Sequence, residues 1–457
     1  MAAERQGHVV VVGGSMAGLL AARAVSDRAA SVAVLERERL TDAVAPRGHV
    51  PQGRHVHLLL LAGLDLLREW FPGIEDELES HGAVRVDGYG AWVHQGGAYR
   101  ARGDWGRPVL SLTRPLLEHV VRARVAALPG VTIEDGIVVE RVVVAGRRAT
   151  GVVVGGVDRP ADLVVDCSGR SSRIANDLAT SGLLEPPISR VSIDIGYTSF
   201  LMRRSADDFE GDFAICVDNP GSFRGGAVLP VEGDRWHVTL AGVHGDVPPA
   251  DDEGIRTFAA SLPSPAVRQL VDRCEHVSEV ATYRFASSQR RHYEKSARLL
   301  EGLVTLGDAS ASFDPIYGQG MSSSALQAAA LGAVAEAVGV LSPELPKRFH
   351  RKAARVIDAP WRIAVGGDFG HPSTVGPKPA GTAQLNGYIR RVVLAAHVSV
   401  PVARAFNRVL QLADPPTALL RPLTVARVLT EARRSPVVTA AAVRHPRVGI
   451  DNTADSS

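Results

Sequence analysis

The chain has 457 residues, a formal net charge of +2 and 22% charged residues. A charge this small excludes an extended nucleic-acid-binding surface, and the length is enough for two interleaved domains with ample core. The three cysteines, Cys167, Cys216 and Cys274, are too few and too scattered for a disulfide framework. We therefore expect a protein of the reducing cytoplasm.

The sequence predicts neither a targeting segment nor a membrane span. Residues 1–7 are polar and run directly into the first apolar segment, so we expect no signal peptide. The longest mostly apolar stretch, residues 325–341, contains Gln327 and Glu336. It predicts a buried helix rather than a membrane span.

The first elements in chain order are a strand, a tight turn, a helix and a second strand. Apolar residues predict the strand at His8–Val12, the segment from Gly13 to Gly18 predicts the turn, and helical spacing covers Met16–Arg28. The second strand, Ser31–Leu35, ends in Glu36, where a carboxylate can accept hydrogen bonds from a ribose. The pattern predicts a dinucleotide site with the pyrophosphate at the helix N-terminus.

This turn leaves three interpretations open. It departs from G-x-G-x-x-G at its middle position, where Ser15 adds a hydroxyl that can itself bond phosphate. The run from Gly13 to Ala17 is also one residue away from the G-x-S-x-G elbow of hydrolases, although its N-terminal position and the downstream Glu36 argue against that interpretation. Between flavin and nicotinamide dinucleotides the turn alone does not decide.

A second motif, Leu303–Met321, favours flavin. A strand ending in Gly307-Asp308 leads into a turn of small residues, then Pro315, Gly318-Gln319-Gly320 and a long helix. This resembles the second fingerprint of class A flavoprotein monooxygenases, the para-hydroxybenzoate hydroxylase superfamily. The resemblance implies that Asp308 holds the ribityl chain of FAD. It also places the turn beside the isoalloxazine ring, where a helix N-terminus can stabilise negative charge.

Three further segments resemble this family. Residues 161–173 are similar to its middle motif, Asp-Gly-x-x-Ser, but Ser168 replaces the aspartate, so that residue's nicotinamide-linked role cannot be transferred. Arg114 stands where the family has an arginine at a helix start that reaches the ribityl or phosphate region. Residues 46–57 match a glycine- and arginine-rich segment along the mobile flavin, which implies that Arg47 and Arg54 lie near the cofactor.

The resemblance implies FAD as cofactor, NAD(P)H as electron donor, and O2 and a small apolar substrate as reactants, with a separate flavin reductase as an optional partner. No catalytic side chain is assigned, because a flavin C4a-hydroperoxide carries the oxygen transfer in this family. His55 and His57 lack a carboxylate at ligand spacing, so we predict no metal. The residues predicted to bind FAD are Gly13, Gly14, Ser15, Met16, Ala17, Gly18, Glu36, Arg37, Arg47, Arg54, Arg114, Asp308, Pro315, Gly318, Gln319, Gly320 and Met321.

Shorter segments resemble one branch of the family. None of the five tryptophans supplies the Trp-x-Trp-x-Ile-Pro motif of the halogenases, and the Trp-x-Phe-Pro-type motif of geranylgeranyl reductases is absent. Residues 50–60, 70–73 and 194–199 are similar to a bacterial branch that includes polyether-type olefin epoxidases. The resemblance implies epoxidation of an alkene in a natural-product pathway.

The alternative functions differ in the groups that they need. A phenol is activated by a base, for which Tyr197 and His237 are candidates, whereas an alkene needs only dry, correct placement. The apolar substrate-domain strands favour the alkene. An aromatic hydroxylase, an FAD-dependent reductase or dehydrogenase, and a protein that only carries or senses flavin stay open.

The expected fold is α/β, with a Rossmann-like FAD-binding domain interleaved with a mainly antiparallel β-sheet substrate domain and followed by a helical C-terminal region. The predicted substrate strands are Ser192–Arg203, Phe213–Val217, Gly225–Val231 and Trp236–Val243, with strand and turn character at Val84–Arg100. The predicted later helices are Ile255–Leu262, Pro265–Cys274, Asn386–Leu412 and Ala418–Ala432. The predicted divisions are 1–80, 105–190 and 290–370 for FAD binding, 81–104 and 191–289 for substrate, 371–445 for C-terminal helices, and 446–457 for a disordered tail.

Overall fold

The computed structural model describes residues 5–217 and 223–449. The strands are, in chain order, β1 (His8–Val12), β2 (Ser31–Leu35), β3 (Val84–Val86), β4 (Ala91–Gln95), β5 (Ala98–Tyr99), β6 (Val109–Ser111), β7 (Val131–Glu134), β8 (Val139–Ala145), β9 (Arg148–Val154), β10 (Val157–Pro160), β11 (Leu163–Asp166), β12 (Ile188–Arg203), β13 (Phe213–Cys216), β14 (Arg224–Val231), β15 (Arg235–Val243), β16 (Ala281–Arg291), β17 (Leu303–Thr305) and β18 (Ala311–Ser312). The helices are α1 (Met16–Ser26), α2 (Leu61–Trp70), α3 (Ile74–Ser80), α4 (Arg114–Ala126), α5 (Arg173–Thr180), α6 (Asp252–Ala260), α7 (Ala266–Arg273), α8 (Gly320–Val338), α9 (Leu345–Asp368), α10 (Thr382–Ala396), α11 (Val400–Leu410), α12 (Pro422–Glu431) and α13 (Pro436–Thr439).

A five-stranded parallel sheet has the order β17-β11-β1-β2-β7. Its strands are short apolar runs that are almost entirely buried, as parallel strands covered on both faces require. On one face α1 and α8 pack together, and Leu19 and Leu331 share an apolar cluster with Val9 and Val11 of β1. Because the strands come from distant parts of the chain, the sheet confirms the predicted interleaved, Rossmann-like domain.

The opposite face of this sheet is covered by a three-stranded antiparallel sheet that the sequence analysis does not predict. Its order is β10-β9-β8. Val142 and Val152 of this small sheet pack in one cluster with Val10, Val12 and Leu303 of the parallel sheet. The continuous valine run of β1 thus packs against both layers, because successive side chains point to opposite faces of the sheet.

An eight-stranded sheet forms the second large unit, with the order β18-β16-β12-β15-β14-β13-β4-β5. Its pairings are antiparallel except that of β13 with β4, which confirms the predicted mainly antiparallel sheet. The longest strand, β12, pairs with β15 on one side and β16 on the other. A bulge between Ser192 and Ile195 interrupts its register with β16, and Asp194 there has φ 46°.

The C-terminal helical region is present, but both helices predicted there are divided. The stretch predicted as Ala418–Ala432 consists of the 3-10 turn Pro416–Leu420 and α12, separated at Arg421. The stretch Asn386–Leu412, predicted without a break, consists of α10 and α11 separated by residues 397–399. The break has a local cause, because Pro401 in the first turn of α11 has no N–H to continue the preceding helix. Val392 and Phe406 of these helices join Leu229 of the large sheet in one apolar cluster.

The predicted disordered tail, residues 446–457, is wrong for its first part. The carbonyl of Arg447 accepts a hydrogen bond of 2.9 Å from the N–H of Glu210, and Val448 packs against the apolar cluster of the large sheet. The backbone hydrogen bond and the partly buried Val448 together attach this segment to the large sheet. Residues 450–457 lie outside the described residues.

Candidate functional site

Two cavities meet at Arg114, in the first turn of α4. The large cavity, of about 660 Å³, lies between the C-terminal edge of the parallel sheet, the turn after β17 and one face of the eight-stranded sheet. The small cavity, of about 200 Å³, lies between the segment that follows β2 and the start of α4. Arg114 is part of the wall of both cavities.

The glycine turn between β1 and α1 has no room for side chains. Gly13 has φ 103°, and a Cβ there would lie 2.6 Å from the carbonyl oxygen of Cys167. A Cβ on Gly18 would lie 1.8 Å from the carbonyl oxygen of Gly13. The following N-terminus of α1 faces the large cavity, since the residues from Ser15 to Ala17 line it. The backbone is thus shaped for the close approach of a phosphate group.

Arg47 joins three glutamates beside this turn. Its guanidinium nitrogens lie 2.8 Å from Glu36 Oε2 and 3.3 Å from Glu38 Oε2, and a third contact is made with Glu118. Glu36 Oε2 also accepts a hydrogen bond of 2.7 Å from the N–H of Gly14. Burial acts to lower the pKa of Arg47, but the charges of Glu118 and Glu36 raise it overall. The predicted ribose-binding Glu36 is therefore fixed against the glycine turn.

Arg114 is the predicted helix-start arginine, and it is held on two sides. Its Nη2 donates a hydrogen bond of 3.0 Å to the hydroxyl of Ser15, which donates one of 2.8 Å to Glu118. Its Nε forms no hydrogen bond within the part of the chain that the structure describes. Burial lowers the pKa of Arg114, although Glu118 and Asp308 oppose this effect. The Arg114 Nε lies 3.9 Å from Glu118 Oε2, too far for a hydrogen bond, so its N–H can donate to a polar or anionic ligand.

Asp308 lies in the 3-10 turn Gly307–Ala309 that follows β17, and it lines the large cavity as predicted. Burial raises the pKa of its carboxyl group, whereas the charges of Arg114 and Arg170 lower it. Gly307 has φ 67°, and a Cβ there would lie 2.7 Å from the Cβ of Ala17. The glycine thus lets the two predicted cofactor turns pack against each other.

The turn before α8 lines the same cavity in part. Gln319 does not line it, because its side chain is buried and its Nε2 donates a hydrogen bond of 3.4 Å to the carbonyl of Leu410. Its prediction as a cofactor ligand is therefore not supported by its position. The predicted residues of this turn that do line the large cavity are Pro315, Gly318, Gly320 and Met321.

The two other predicted arginines have different environments. Arg37 is exposed and lines the large cavity, next to the buried Glu36. Arg54 ends the 3-10 turn Pro51–Arg54, its side chain is exposed, and it lines neither cavity. Its carbonyl accepts a hydrogen bond of 3.1 Å from His237 Nε2, and its charge contributes to the lowered pKa of His55.

Asp166 organises the middle motif, in which Ser168 replaces the family's aspartate. Its Oδ1 accepts hydrogen bonds from the N–H and the hydroxyl of Ser168, at 3.0 and 2.6 Å, and its Oδ2 accepts one from Ser172 at 2.6 Å. Burial raises the pKa of Asp166, and these hydrogen bonds act in the opposite direction. Ser168 and Gly169 line the large cavity, whereas Arg173 is exposed at the start of α5.

Arg170 is a cavity residue that sequence reasoning missed. Its guanidinium donates hydrogen bonds of 2.6 Å to Ser312 and 2.8 Å to Ser287, and its central carbon lies 4.8 Å from the ring centroid of Phe285. It therefore connects the middle motif with the eight-stranded sheet. The motif contains this arginine, but its partners lie 142 and 117 residues away along the chain, and spacing alone could not reveal them.

His55 belongs to the segment 46–57 that is predicted to run along the flavin. Its side chain lies buried in the wall of the large cavity. Its Nδ1 lies 2.7 Å from the hydroxyl oxygen of Ser199, and no described residue forms a hydrogen bond with its Nε2. Burial lowers the pKa of His55 to about 4, with smaller contributions from His237 and Arg54. The ring is therefore uncharged at neutral pH.

His57 has a defined tautomer. Its Nδ1 lies 2.8 Å from the carbonyl oxygen of His55, so Nδ1 carries the hydrogen and Nε2 is an acceptor. The Nη1 of Arg114 lies 3.4 Å from this acceptor. Burial, and then the charge of Arg114, lower the pKa of His57 to about 3. This neutral ring thus supports the position of Arg114.

The two predicted base candidates are separated by the fold. Tyr197 lines the large cavity, and its hydroxyl forms no hydrogen bond within residues 5–217 and 223–449. His237 is buried outside both cavity walls, where Arg54 holds it. The candidacy of His237 is therefore wrong.

Two buried carboxyl groups adjoin the turn before α8. Burial raises the pKa of Asp314 to about 6, even though Asp314 accepts a hydrogen bond of 2.8 Å from the N–H of Ile316. Burial and the neighbouring Asp314 raise the pKa of Asp368, at the end of α9, well above its usual value. The pair favours at least one protonated carboxyl group at neutral pH.

The described ranges contain neither a metal-binding cluster nor a membrane-spanning helix. No group of three His, Cys, Asp or Glu side chains there could hold a metal ion. No helix in those ranges combines the length and the apolar character needed to cross a bilayer.

Comparison with known proteins decides the family. Residues 6–359 match the family model described as the FAD binding domain. The chain belongs to this FAD-binding family. It is 30% identical over 425 residues to Protein Rv3254 of Mycobacterium tuberculosis (strain ATCC 25618 / H37Rv), which covers 89% of this chain and 90% of that protein.

Solved structures share the fold of this FAD-binding protein. A flavoprotein/dehydrogenase from Cytophaga hutchinsonii has a TM-score of 0.62 at 16% identity, covering 95% of this chain and 99% of that one. The tetrameric form of 2-methyl-3-hydroxypyridine-5-carboxylic acid oxygenase has a TM-score of 0.59 at 17% identity, covering 90% and 98%. The predicted family and fold are confirmed, while the epoxidase branch stays a prediction.

The residues of the site fit FAD. The crowded glycines at Gly13 and Gly18 leave the backbone open to a pyrophosphate, and the unpartnered Nε of Arg114 offers a donor at the junction of the cavities. Asp308 would hold the ribityl chain, with the turn before α8 beside the flavin ring. Glu36, the predicted ribose ligand, lines neither cavity, and its carboxylate is bonded to Gly14, Glu38 and Arg47. When bound, FAD supplies redox chemistry that no side chain here can supply.

Proposed function

We propose that this FAD-binding protein is a monooxygenase that inserts one oxygen atom of O2 into an apolar substrate, and that it converts an alkene to an epoxide. The observation that carries the proposal is the apolar part of the large cavity's wall, which continues from the cofactor turns to the eight-stranded sheet. Its members include Val56, Ile215, Ala227, Val243, Phe285 and Phe313.

The contribution of the chain to this reaction is positioning and the exclusion of water. Three charged groups of the wall, Arg114, Arg170 and Asp308, would serve the cofactor, and Asp308 interacts electrostatically with both arginines. An isolated alkene has no proton to lose and needs only a dry pocket and correct placement beside the reactive cofactor. The apolar wall meets that requirement.

Aromatic hydroxylation is the second candidate, and a specific observation favours it. Removing the proton of a phenol needs a base within hydrogen-bond reach. His55 lines the large cavity, is neutral and has an unpartnered Nε2. Its position lets its Nε2 accept a hydrogen bond from a phenol hydroxyl, a contact that the sequence analysis did not assign, although a pKa of about 4 makes it a weak base.

The remaining parts of the proposal concern electron supply. We propose that NAD(P)H supplies the electrons that reduce FAD, either directly or through a separate flavin reductase. We propose the cytoplasm as the location of this reaction. The described residues form the FAD-binding unit, the eight-stranded sheet and the C-terminal helices, and none of these parts is a separate nicotinamide-binding domain. The nicotinamide would therefore react within the same cavity or on a partner protein.

The test is turnover under 18O2. The FAD-loaded protein is incubated with NADH or NADPH and a panel of polyenes and phenols, and the products are analysed by mass spectrometry. An epoxide carrying one 18O atom supports the proposal, and an 18O-labelled catechol moves it to the second candidate. Hydrogenated or dehydrogenated products without 18O would replace both with the reductase or dehydrogenase alternative.

A further inference from the structure

The register of the eight-stranded sheet brings a set of polar side chains to one face. Tyr197 of β12 lies opposite Ala241 of β15 and Tyr283 of β16, and Ser199 lies opposite Thr239. Residues two apart on a strand point to the same face, so Tyr197 and Ser199 share one side of β12. This side forms part of the large cavity, since Tyr197, Thr239, Ala241 and Tyr283 line it.

His55 inserts into this face from the loop after the 3-10 turn. Its ring centroid lies 5.8 Å from that of Tyr197 and 5.6 Å from that of Tyr283. Its Nδ1 lies 2.7 Å from Ser199 Oγ, which lies 2.6 Å from Thr239 Oγ1. The chain of bonds ends on the backbone, because the N–H of Val56 donates to Thr239 Oγ1 at 3.0 Å. One edge of the imidazole is thereby fixed.

The other edge of the imidazole and the neighbouring hydroxyl are left without partners. Neither His55 Nε2 nor the Tyr197 hydroxyl forms a hydrogen bond with any described residue, and both atoms are buried. A buried polar atom without a partner costs about 1–3 kcal/mol. Two such atoms on adjacent rings in a cavity wall indicate a site that a ligand completes.

The ionisation of the two groups defines what they can bind. Burial keeps the pKa of His55 near 4 and raises that of Tyr197 well above its usual value, with Asp314 and Asp368 adding to the second effect. Both groups are therefore neutral at pH 7. A neutral imidazole and a neutral phenol match a neutral oxygen group better than a carboxylate or an ammonium group, which would need a counter-charge here.

We propose that His55 and Tyr197 form a recognition site for one uncharged oxygen, a hydroxyl or carbonyl group, on an otherwise apolar substrate. This inference rests on the proposed function, because it assigns a feature to the substrate of that reaction. It holds equally for an unsaturated alcohol and for a phenol. In either case the oxygen anchors the molecule, and the apolar remainder lies along the Val and Phe side chains of the wall.

The test measures binding to the oxidised, FAD-loaded protein without NAD(P)H, so that no turnover occurs. The probes are 2-naphthol and naphthalene, which differ by one hydroxyl group, and their affinities are measured by calorimetry. We expect wild-type protein to bind 2-naphthol at least about tenfold more tightly than naphthalene. Tyr197→Phe should weaken 2-naphthol binding about fivefold and leave naphthalene within twofold.

Two variants at His55 test the contributions of its two ring nitrogens separately. His55→Asn keeps a group that can bond Ser199 but removes Nε2, and should reduce the preference for 2-naphthol as Tyr197→Phe does. His55→Gln places an amide near the former Nε2 and should restore part of it. Tyr89→Phe, at a tyrosine that is 62% exposed, is the matched control and should behave as wild type.

The outcomes distinguish this inference from the proposed function. A wild-type protein without a preference, or a preference that survives both Tyr197→Phe and His55→Asn, would overturn it. If the preference survives both substitutions, water rather than a substrate oxygen completes the hydrogen bonds of His55 Nε2 and the Tyr197 hydroxyl. FAD content is recorded for each variant, and if the His55 variants lose FAD, Tyr197→Phe decides alone. A preference without any 18O-labelled product would contradict the proposed function and leave the recognition site standing.

Discussion

On the cofactor side, beside the glycine turn, charged groups pair with one another: Arg47, in the wall of the small cavity, lies among Glu36, Glu38 and Glu118. On the sheet side, His55 and Tyr197 are neutral, and each keeps one polar atom without a partner. The unpartnered atom on the cofactor side belongs instead to a cation, Arg114. The difference matches two kinds of ligand, an anionic dinucleotide on one side and an uncharged substrate on the other.

The largest expected effect is on the cofactor side, at the glycine turn. Gly18→Ala places a Cβ 1.8 Å from the carbonyl oxygen of Gly13, so we expect the purified protein to lack FAD and to lose about 3 kcal/mol of unfolding free energy. Flavin absorbance and urea denaturation measure the two effects. Gly387→Ala, in α10, is the matched control, because nothing lies within 4 Å of its added Cβ and alanine favours helix. Equal FAD content in the two variants would contradict the predicted cradle.

The next effect tests the ion cluster. Arg47→Ala leaves three carboxylates without their shared cation, so we expect a loss of about 3 kcal/mol in the unfolding free energy. Arg47→Lys should recover only part of it, because an ammonium group cannot match several carboxylates as a guanidinium does. Arg39→Ala, at a side chain that is 88% exposed, is the control. Similar losses for Arg39 and Arg47 would show that the cluster adds no stability.

Acid should destabilise the protein through its buried neutral histidines. Burial lowers the pKa of His55, His94 and His237 to about 4 and that of His57 and His350 to about 3, whereas a solvent-exposed histidine has a pKa of 6.5. Between pH 6.5 and about 4 the unfolded chain therefore binds more protons than the folded one, and stability falls as pH falls. Each histidine contributes on the order of 2 kcal/mol between pH 7 and pH 5.

Urea denaturation at pH 7 and pH 5 measures this loss, and His55→Asn should reduce it. His81→Asn, at an exposed histidine on the surface, is the control and should not change it. A wild-type protein that is equally stable at both values would show that these rings are accessible to water, and the neutral character of the sheet side would have to be abandoned.

The smallest effect concerns the carboxyl pair near the cofactor turn. The raised pKa of Asp314, about 6, means that its contribution to stability is lost as pH rises through that value. Asp314→Asn keeps an oxygen for the N–H of Ile316 and offers a donor to Asp368, so we expect about 1 kcal/mol of added stability at pH 8 and less at pH 5. Thermal unfolding at both values checks this, with Asp252→Asn, at a side chain that is 78% exposed, as control. A gain independent of pH would exclude the charge as its cause.

The elements of the cofactor side could be predicted because their signals are local. The strand β1, the glycine turn and Glu36 follow one another closely, and Asp308 directly follows β17, so short patterns were sufficient. The small antiparallel sheet over the parallel one was missed, because its apolar strands have no motif that distinguishes them from other surface hairpins.

The sheet side could not be predicted because its site depends on register. His55 meets Ser199 and Tyr197 only after β12, β15 and β16 have paired, and Arg170 meets Ser287 and Ser312 in the same way. His237, a predicted base, lies on the same face as Thr239 but two residues away along β15, where its Nε2 donates to the carbonyl of Arg54 and it lines neither cavity. Residue type identified the candidate side chains, but the pairing of the strands determined which of them come together.

The strand β12 also limits how related chains can change. Tyr197 and Ser199 face the cavity because of their parity along the strand, so inserting or deleting a single residue just before them would turn both away from it. The bulge near Asp194 shows the one place where an extra residue is already absorbed. Relatives of this protein can therefore acquire new substrates by exchanging side chains on β12, whereas changes of length in its interior must come in pairs or carry a compensating bulge.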